Sequence, residues 1–139
     1  MNAHVPAPPL IVLFDGDCGL CAASARWIER RVDAVRLEAR PLGAATTDPR
    51  VGDAVRGLDL ASSLHVVRPD GSVRTGAAAV LEAGRLVPRW GIVARLLDHR
   101  AGRLALEPGY RLVARNRHRI GRALGLPSAC ALPGGGASR

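Results

Sequence analysis

The sequence predicts an α/β domain built as strand, helix, strand, helix, a pair of strands and a third helix, with an arginine-rich helical extension behind it. Three observations carry that expectation. "LIVLF" at 10–14 is an unbroken run of β-formers, as a strand buried on both faces requires. "DGDC" turns the chain directly into a segment with helical periodicity. "VVRPDGSVRT" sets a turn signal between two short β-forming runs, the pattern of a hairpin.

The elements follow in order. "MNAHVPAPP" is a loose, partly polyproline lead-in. After the first strand, a helix from Cys18 to about Arg31 aligns Cys21, Ala25, Ile28 and Val32 on one buried face, with Cys18 outside that face in the first turn. Residues 35–39 alternate apolar with charged side chains, as a half-exposed strand does. Strand, crossover helix and strand form a βαβ unit, parallel and right-handed. In "TTDPRVGDAVRGL", Asp48 before Pro49 starts a short second helix. Residues 64–67 make a third strand and 72–75 its returning partner, around the turn at 69–71. A helix over 77–83 is closed by Gly84. This order, with a C-x-x-C at the end of the first strand, is a thioredoxin-like layout. Two further helical stretches, about 89–100 and 109–125, precede a tail without periodicity, "LPSACALPGGGASR". The chain therefore divides into a core over 1–88, a basic helical extension over 89–126 packed on or beside it, and a flexible tail over 127–139.

A chain of 139 residues is long enough for one domain with a substantial core. Aromatic residues make up 3% of it, so that core is Leu, Val, Ile and Ala. All 20 basic residues are arginine, which reads as a composition bias. Their distribution is uneven. Residues 1–88 hold ten arginines and ten acids, whereas 89–139 hold ten arginines against Asp98 and Glu107 alone, so the whole net charge of +8 lies in the second part. No apolar run approaches the length of a membrane span. The start has no basic n-region and its apolar run breaks at Asp15, unlike a secretory signal. The expectation is a cytoplasmic chain, in which three cysteines do not suggest a structural disulfide framework.

The chemistry is concentrated in "FDGDCGLCAASARW". At a helix N-terminus, the dipole and free backbone N–H groups stabilise negative sulfur on the first cysteine of a C-x-x-C. Such placement brings a thiol pKa to roughly 3.5–7.5. The second cysteine, one turn on, is close enough to resolve a mixed disulfide. Cys18 is thus the exposed candidate nucleophile and Cys21 the buried resolving thiol. Two other uses of the pair stand beside this one. Zinc usually takes four ligands, and Cys130 is the one remaining cysteine, with His4, His65, His99 and His118 scattered. Alternatively, both cysteines are small core residues. The helix-opening position favours redox work, which needs no cofactor beyond the dithiol itself.

At these residues the chain resembles a known family. "LFDGDCGLCAASARWIERR" resembles the signature of the DCC family of thiol-disulfide oxidoreductases, and the likeness continues through "LHVVRPDGSVRTGAAAVL" and "YRLVARNRHRIGR". The resemblance implies a thioredoxin-like fold and thiol–disulfide exchange, with Asp15, Gly16, Asp17, Cys18 and Cys21 on the motif. The likeness to thioredoxin itself breaks at one point. Where thioredoxins carry a cis-proline that shapes the substrate groove, this chain has Ser63.

The aspartates admit two roles. Asp15 or Asp17 caps the helix by accepting backbone N–H bonds, or one of them accepts a proton when Cys21 must ionise. In either role their charge leaves Cys18 less acidic and favours a reductant. Gly16 serves the tight turn between strand and helix, where either a side chain would clash or φ is positive. Trp27 and Trp90 are candidates to line a substrate groove, Ser63 to border it, and His65 to be a satisfied structural histidine. On the extension, Arg111, Arg115, His118, Arg119 and Arg122 form one stripe. Tyr110, Val113, Ile120 and Leu124 favour another side, which Arg117 interrupts. The stripe fits peripheral contact with the anionic inner face of a membrane. No nucleic-acid motif accompanies it. The partners expected are an unknown thiol or disulfide substrate and a recycling reductant. The rival function is a basic adaptor, binding a membrane surface or nucleic acid, whose cysteines hold metal or pack.

Overall fold

β1 (Leu10–Phe14) is flanked on both sides, and the structure, a computed structural model describing residues 6–128, explains its composition through that position. It pairs in parallel with β2 (Leu37–Pro41) and antiparallel with β3 (His65–Val67), which continues antiparallel to β4 (Val73–Thr75). The sheet order is β2-β1-β3-β4. Leu10 lies opposite Leu37, and Leu13 opposite His65.

Alternation along β1 feeds two cores. Leu10 and Val12 pack with Val32, Leu37, Val66, Ala79 and Val87 under α1 (Gly19–Glu29) and α3 (Gly76–Gly84). Ile11 and Leu13 pack with Ala45, Val51, Val55 and Val67 under α2 (Pro49–Ala54) and a 3₁₀ turn over Leu42–Thr47. The described residues thus form a four-stranded mixed sheet with five α-helices, a thioredoxin-like fold. Cys130 lies outside them.

Local signals act as the sequence suggests in several places. Asp48 caps α2, its carboxylate accepting the Arg50 N–H at 2.9 Å. The second strand starts later than expected, because the Arg36 and Leu37 N–H groups donate back to the Asp33 carbonyl in a turn. Gly16 is not among the positive-φ glycines, which are Gly57, Gly71, Gly76 and Gly125.

The largest departure lies in the extension. After α4 (Trp90–Leu97), α5 runs unbroken over Arg100–Ala123, so the gap expected over about 101–108 is helical, Pro108 included. Proline brings no N–H to the helix, but the helix is anchored on both sides of it. The Glu107 carboxylate accepts the Ala77 N–H at 3.2 Å, at the start of α3. The Tyr110 hydroxyl accepts the Leu64 N–H at 2.6 Å. Gly76, at φ 60, makes room for Glu107, whose carboxylate would lie 3.0 Å from an added Cβ. Where α5 crosses α1, Gly121 and Gly19 let the backbones approach, and a Cβ on Gly19 would overlap the Leu126 carbonyl.

The two acids of the extension both dock it. Glu107 meets α3 as described, and Asp98 joins Arg85 at 3.1 Å to Arg103 at 2.8 Å. The extension is therefore packed on the core.

Candidate active site

Cys18 is the N-cap of α1. Its backbone is extended, at φ −92 and ψ 110, and its sulfur accepts the Cys21 N–H at 3.2 Å. The Cys21 thiol donates to the same sulfur at an Sγ–Sγ separation of 2.6 Å, and both cysteines are free. Cys18 therefore holds the position at which a helix N-terminus favours negative sulfur.

Exposure is the reverse of the expectation. Cys18 is fully buried, whereas Cys21 is half-buried and reaches a cavity. The chain leaves β1 through a turn in which the Cys18 N–H donates to the Asp15 carbonyl, folding Cys18 inward. α5 then closes over the start of α1 at Gly19. The buried face of α1 is Gly19, Ala22 and Ala25, which leaves Cys21 at its edge.

The hydrogen bond between the two sulfurs has a direction. Burial pushes the Cys21 pKa from 9.0 up to about 12, and the hydrogen bond to Cys18 acts the same way. The negative charges of Cys18 and Asp15 add to the rise, and Arg117 opposes it. Cys21 is the proton holder and Cys18 the acceptor.

The helix cap expected from Asp15 or Asp17 is supplied by Cys18. The Asp15 carboxylate instead accepts the Asp17 N–H at 3.0 Å and pairs with Arg117 Nη2 at 3.2 Å. His118 Nε2 lies 3.6 Å from it, and Arg117 also donates to the Ala61 carbonyl at 2.8 Å. α5 meets part of the Asp15 charge, yet that charge still acts on the dithiol by raising the Cys21 pKa. Asp17 is exposed and lines a separate cleft with His118 and Arg122.

The cavity at Cys21 has a volume of about 520 Å³ and lies between α1, α3, α4 and α5. Trp27, Ser63 and Trp90 line it, as do Asp15, Tyr110 and Arg117. Arg31 stacks over Trp27 at 4.1 Å. His65 is buried, its Nδ1 2.8 Å from the Ser63 carbonyl, and burial pushes its pKa down, so its place is structural. Among the arginines of the stripe, Arg111 pairs with Glu107 at 3.2 Å, while Arg115, Arg119 and Arg122 are exposed and stand off this cavity. No group of three or more His, Cys, Asp or Glu among the described residues has metal-binding geometry.

Sequence reasoning did not assign Arg117 or Tyr110 to the site. The signal was present in α5, where Arg117 interrupts the side marked by Tyr110, Val113 and Ile120. A charge on a buried face needs a partner, and Asp15 is that partner.

A dithiol at the first helix of a thioredoxin-like fold defines the class. A family model described as DCC1-like thiol-disulfide oxidoreductase matches residues 12–123, and the chain belongs to that family. Neither curated proteins nor solved structures give a match. Among the described residues no helix is long and apolar enough to cross a membrane.

Proposed function

We propose that the chain catalyses thiol–disulfide exchange by cycling Cys18 and Cys21 between dithiol and disulfide, with no further cofactor. The observation that carries this is the Sγ–Sγ contact of 2.6 Å, with Cys18 capping the helix. In one direction a disulfide RSSR takes two electrons and two protons from the pair and leaves as two RSH, while the Cys18–Cys21 bond forms. In the other direction two thiols are oxidised and the bond breaks. Cys18, at the N-cap of α1, is the internal nucleophile and the leaving sulfur in reverse. A low-molecular-weight thiol or a dithiol reductase in a reducing compartment such as the cytoplasm would restore the reduced state.

The test is oxidation of the full chain followed by intact-mass and peptide analysis. The expected result is loss of two hydrogens and a Cys18–Cys21 link, reversed by dithiothreitol. Dimers joined through Cys130, with Cys18 and Cys21 still free, would refute the proposal. A second property rests on Arg115, Arg119 and Arg122, which stand exposed along α5. They support peripheral contact with an anionic membrane surface, separate from the thiol chemistry.

A further inference from the structure

The cavity at Cys21 has the proportions and chemistry of a small-molecule site. Its volume of about 520 Å³ falls within the range of ligand pockets, roughly 300–1,000 Å³, that enclose drug-sized molecules. Leu81, Val87 and Leu97 belong to its wall. Its rim carries Trp27, Val80, Trp90, Val93 and Val113, which border the cavity and are each between 39% and 60% exposed. Large apolar side chains left in water around a concave site mark the entrance for an apolar ligand.

Charge points the same way. Asp15 and Arg117 border the cavity as an ion pair, so their charges cancel and no net charge is offered to an ionic substrate. Both lie near enough to Cys21 to bear on its ionisation. The polar end of the cavity and the reactive sulfur therefore coincide. Cys18, fully buried, does not border the cavity.

Building on the exchange reading, we propose that this cavity is the substrate site, that it takes a small, uncharged thiol or disulfide with an apolar body, and that Cys21 is the sulfur the substrate meets. In the reductive direction Cys21 passes its proton to the Cys18 sulfur it already donates to and attacks RSSR′ as the thiolate, forming Cys21–S–S–R and releasing R′S⁻, which takes that proton from Cys18. The Cys18 thiolate then attacks the Cys21 sulfur, the bond to R breaks, and RS⁻ leaves to be protonated by water. The net change is one substrate disulfide reduced and one Cys18–Cys21 disulfide formed. A thiol with an apolar body runs the same steps backwards.

The experiment uses two probes with one leaving group, octyl 2-pyridyl disulfide and 2-hydroxyethyl 2-pyridyl disulfide. Release of pyridine-2-thione by the reduced chain carrying Cys130→Ser is followed, so that only Cys18 and Cys21 can react, and each rate is divided by that of N-acetylcysteine with the same probe. Each methylene moved out of water is worth roughly a factor of four, so partial burial of the octyl chain should give a preference of at least about tenfold. Val80→Arg and Val93→Arg, at half-exposed rim positions, should each cut that preference several-fold. Ile92→Arg, on α4 beside Val93 but off the cavity, should leave it intact. Cys18→Ser should retain an octylthio adduct on Cys21, and Cys21→Ser should take up none at Cys18. Equal normalised rates for the two probes, with the Cys18–Cys21 disulfide still forming, would overturn the substrate class while leaving exchange in place. An adduct on Cys18 would overturn the assignment of Cys21. Failure of both probes to react with either cysteine would overturn the exchange reading and this inference together.

Discussion

Arg117 Nη2 lies 3.2 Å from Asp15 Oδ2, joining residues 102 positions apart and fixing α5 to the turn that carries the cysteines. Both side chains are largely buried, at 15% and 22% exposed. Removing one partner leaves the other desolvated and uncompensated. Arg117→Met should therefore lower the free energy of unfolding by about 1–3 kcal/mol, read from urea denaturation of the reduced chain. Asp15→Asn should cost a similar amount, and the double variant less than the sum. Strict additivity would show that the pair is not coupled.

Ionisation of Cys21 gives a pH signature. Its thiol holds its proton to about pH 12 in the folded, reduced state, against 9.0 as its ordinary value. Between those two values the unfolded chain has released a proton that the folded chain keeps, so the folded state binds more protons. Stability is then lost as pH rises from about 9 towards 12. Tyr110, whose pKa burial also raises, contributes in the same direction. Cys21→Ser should remove the cysteine's share of the slope in alkaline denaturation curves. An unchanged slope would contradict this account.

Asp15 and Asp17 should separate in a titration of the thiols. The Asp15 charge raises the Cys21 pKa, so Asp15→Asn should lower it, seen as thiolate absorbance appearing at lower pH. Asp17→Asn should move it less, because Asp17 is exposed and borders another cleft. A larger shift from Asp17→Asn would reverse the ranking.

The crossing of α1 and α5 tolerates no side chain at Gly19. A Cβ there would overlap backbone at Leu126, and the neighbouring Gly121 has Leu20 N 3.1 Å from its own Cβ position. Gly19→Ala must displace the segment after α5, at a cost of roughly 1–3 kcal/mol. Thermal unfolding checks this, and a midpoint equal to that of the parent protein would sink it.

Binding to anionic vesicles tests the arginine stripe. Arg115, Arg119 and Arg122 are exposed, and if the stripe meets an anionic bilayer each should contribute on the order of 1 kcal/mol. Arg111 should contribute less because Glu107 already meets it. Sedimentation with phosphatidylserine vesicles should fall as salt rises, and replacing all four by Gln should abolish it. Absence of binding at low salt would leave the stripe a solvated face.

The core elements were legible because their signals are local. β1 is apolar at every position since both of its faces are covered, and Asp48 before Pro49 acts as a cap through a contact two residues away. The βαβ order and the hairpin follow from signals of the same kind. The site was legible as a motif but not as a geometry. Helical spacing places Cys21 beside Ala25, yet it cannot say that α5 closes over the start of α1 or that a cavity opens at its edge. The gap expected between helices at about 89–100 and 109–125 failed for a similar reason, since Glu107 and Tyr110 hold α5 to distant backbone that no local rule contains. Arg117 was visible as an anomaly, and its meaning depended on a residue more than a hundred positions away.

The order of synthesis gives that distance a biological consequence. Cys18 and Cys21 leave the ribosome well before Tyr110, Arg117 and Gly121. A nascent chain carries the two thiols long before it has the helix that closes over them, balances Asp15 and walls the cavity. A chain whose synthesis stopped before α5 would carry an unshielded dithiol and lack one wall of the cavity beside it.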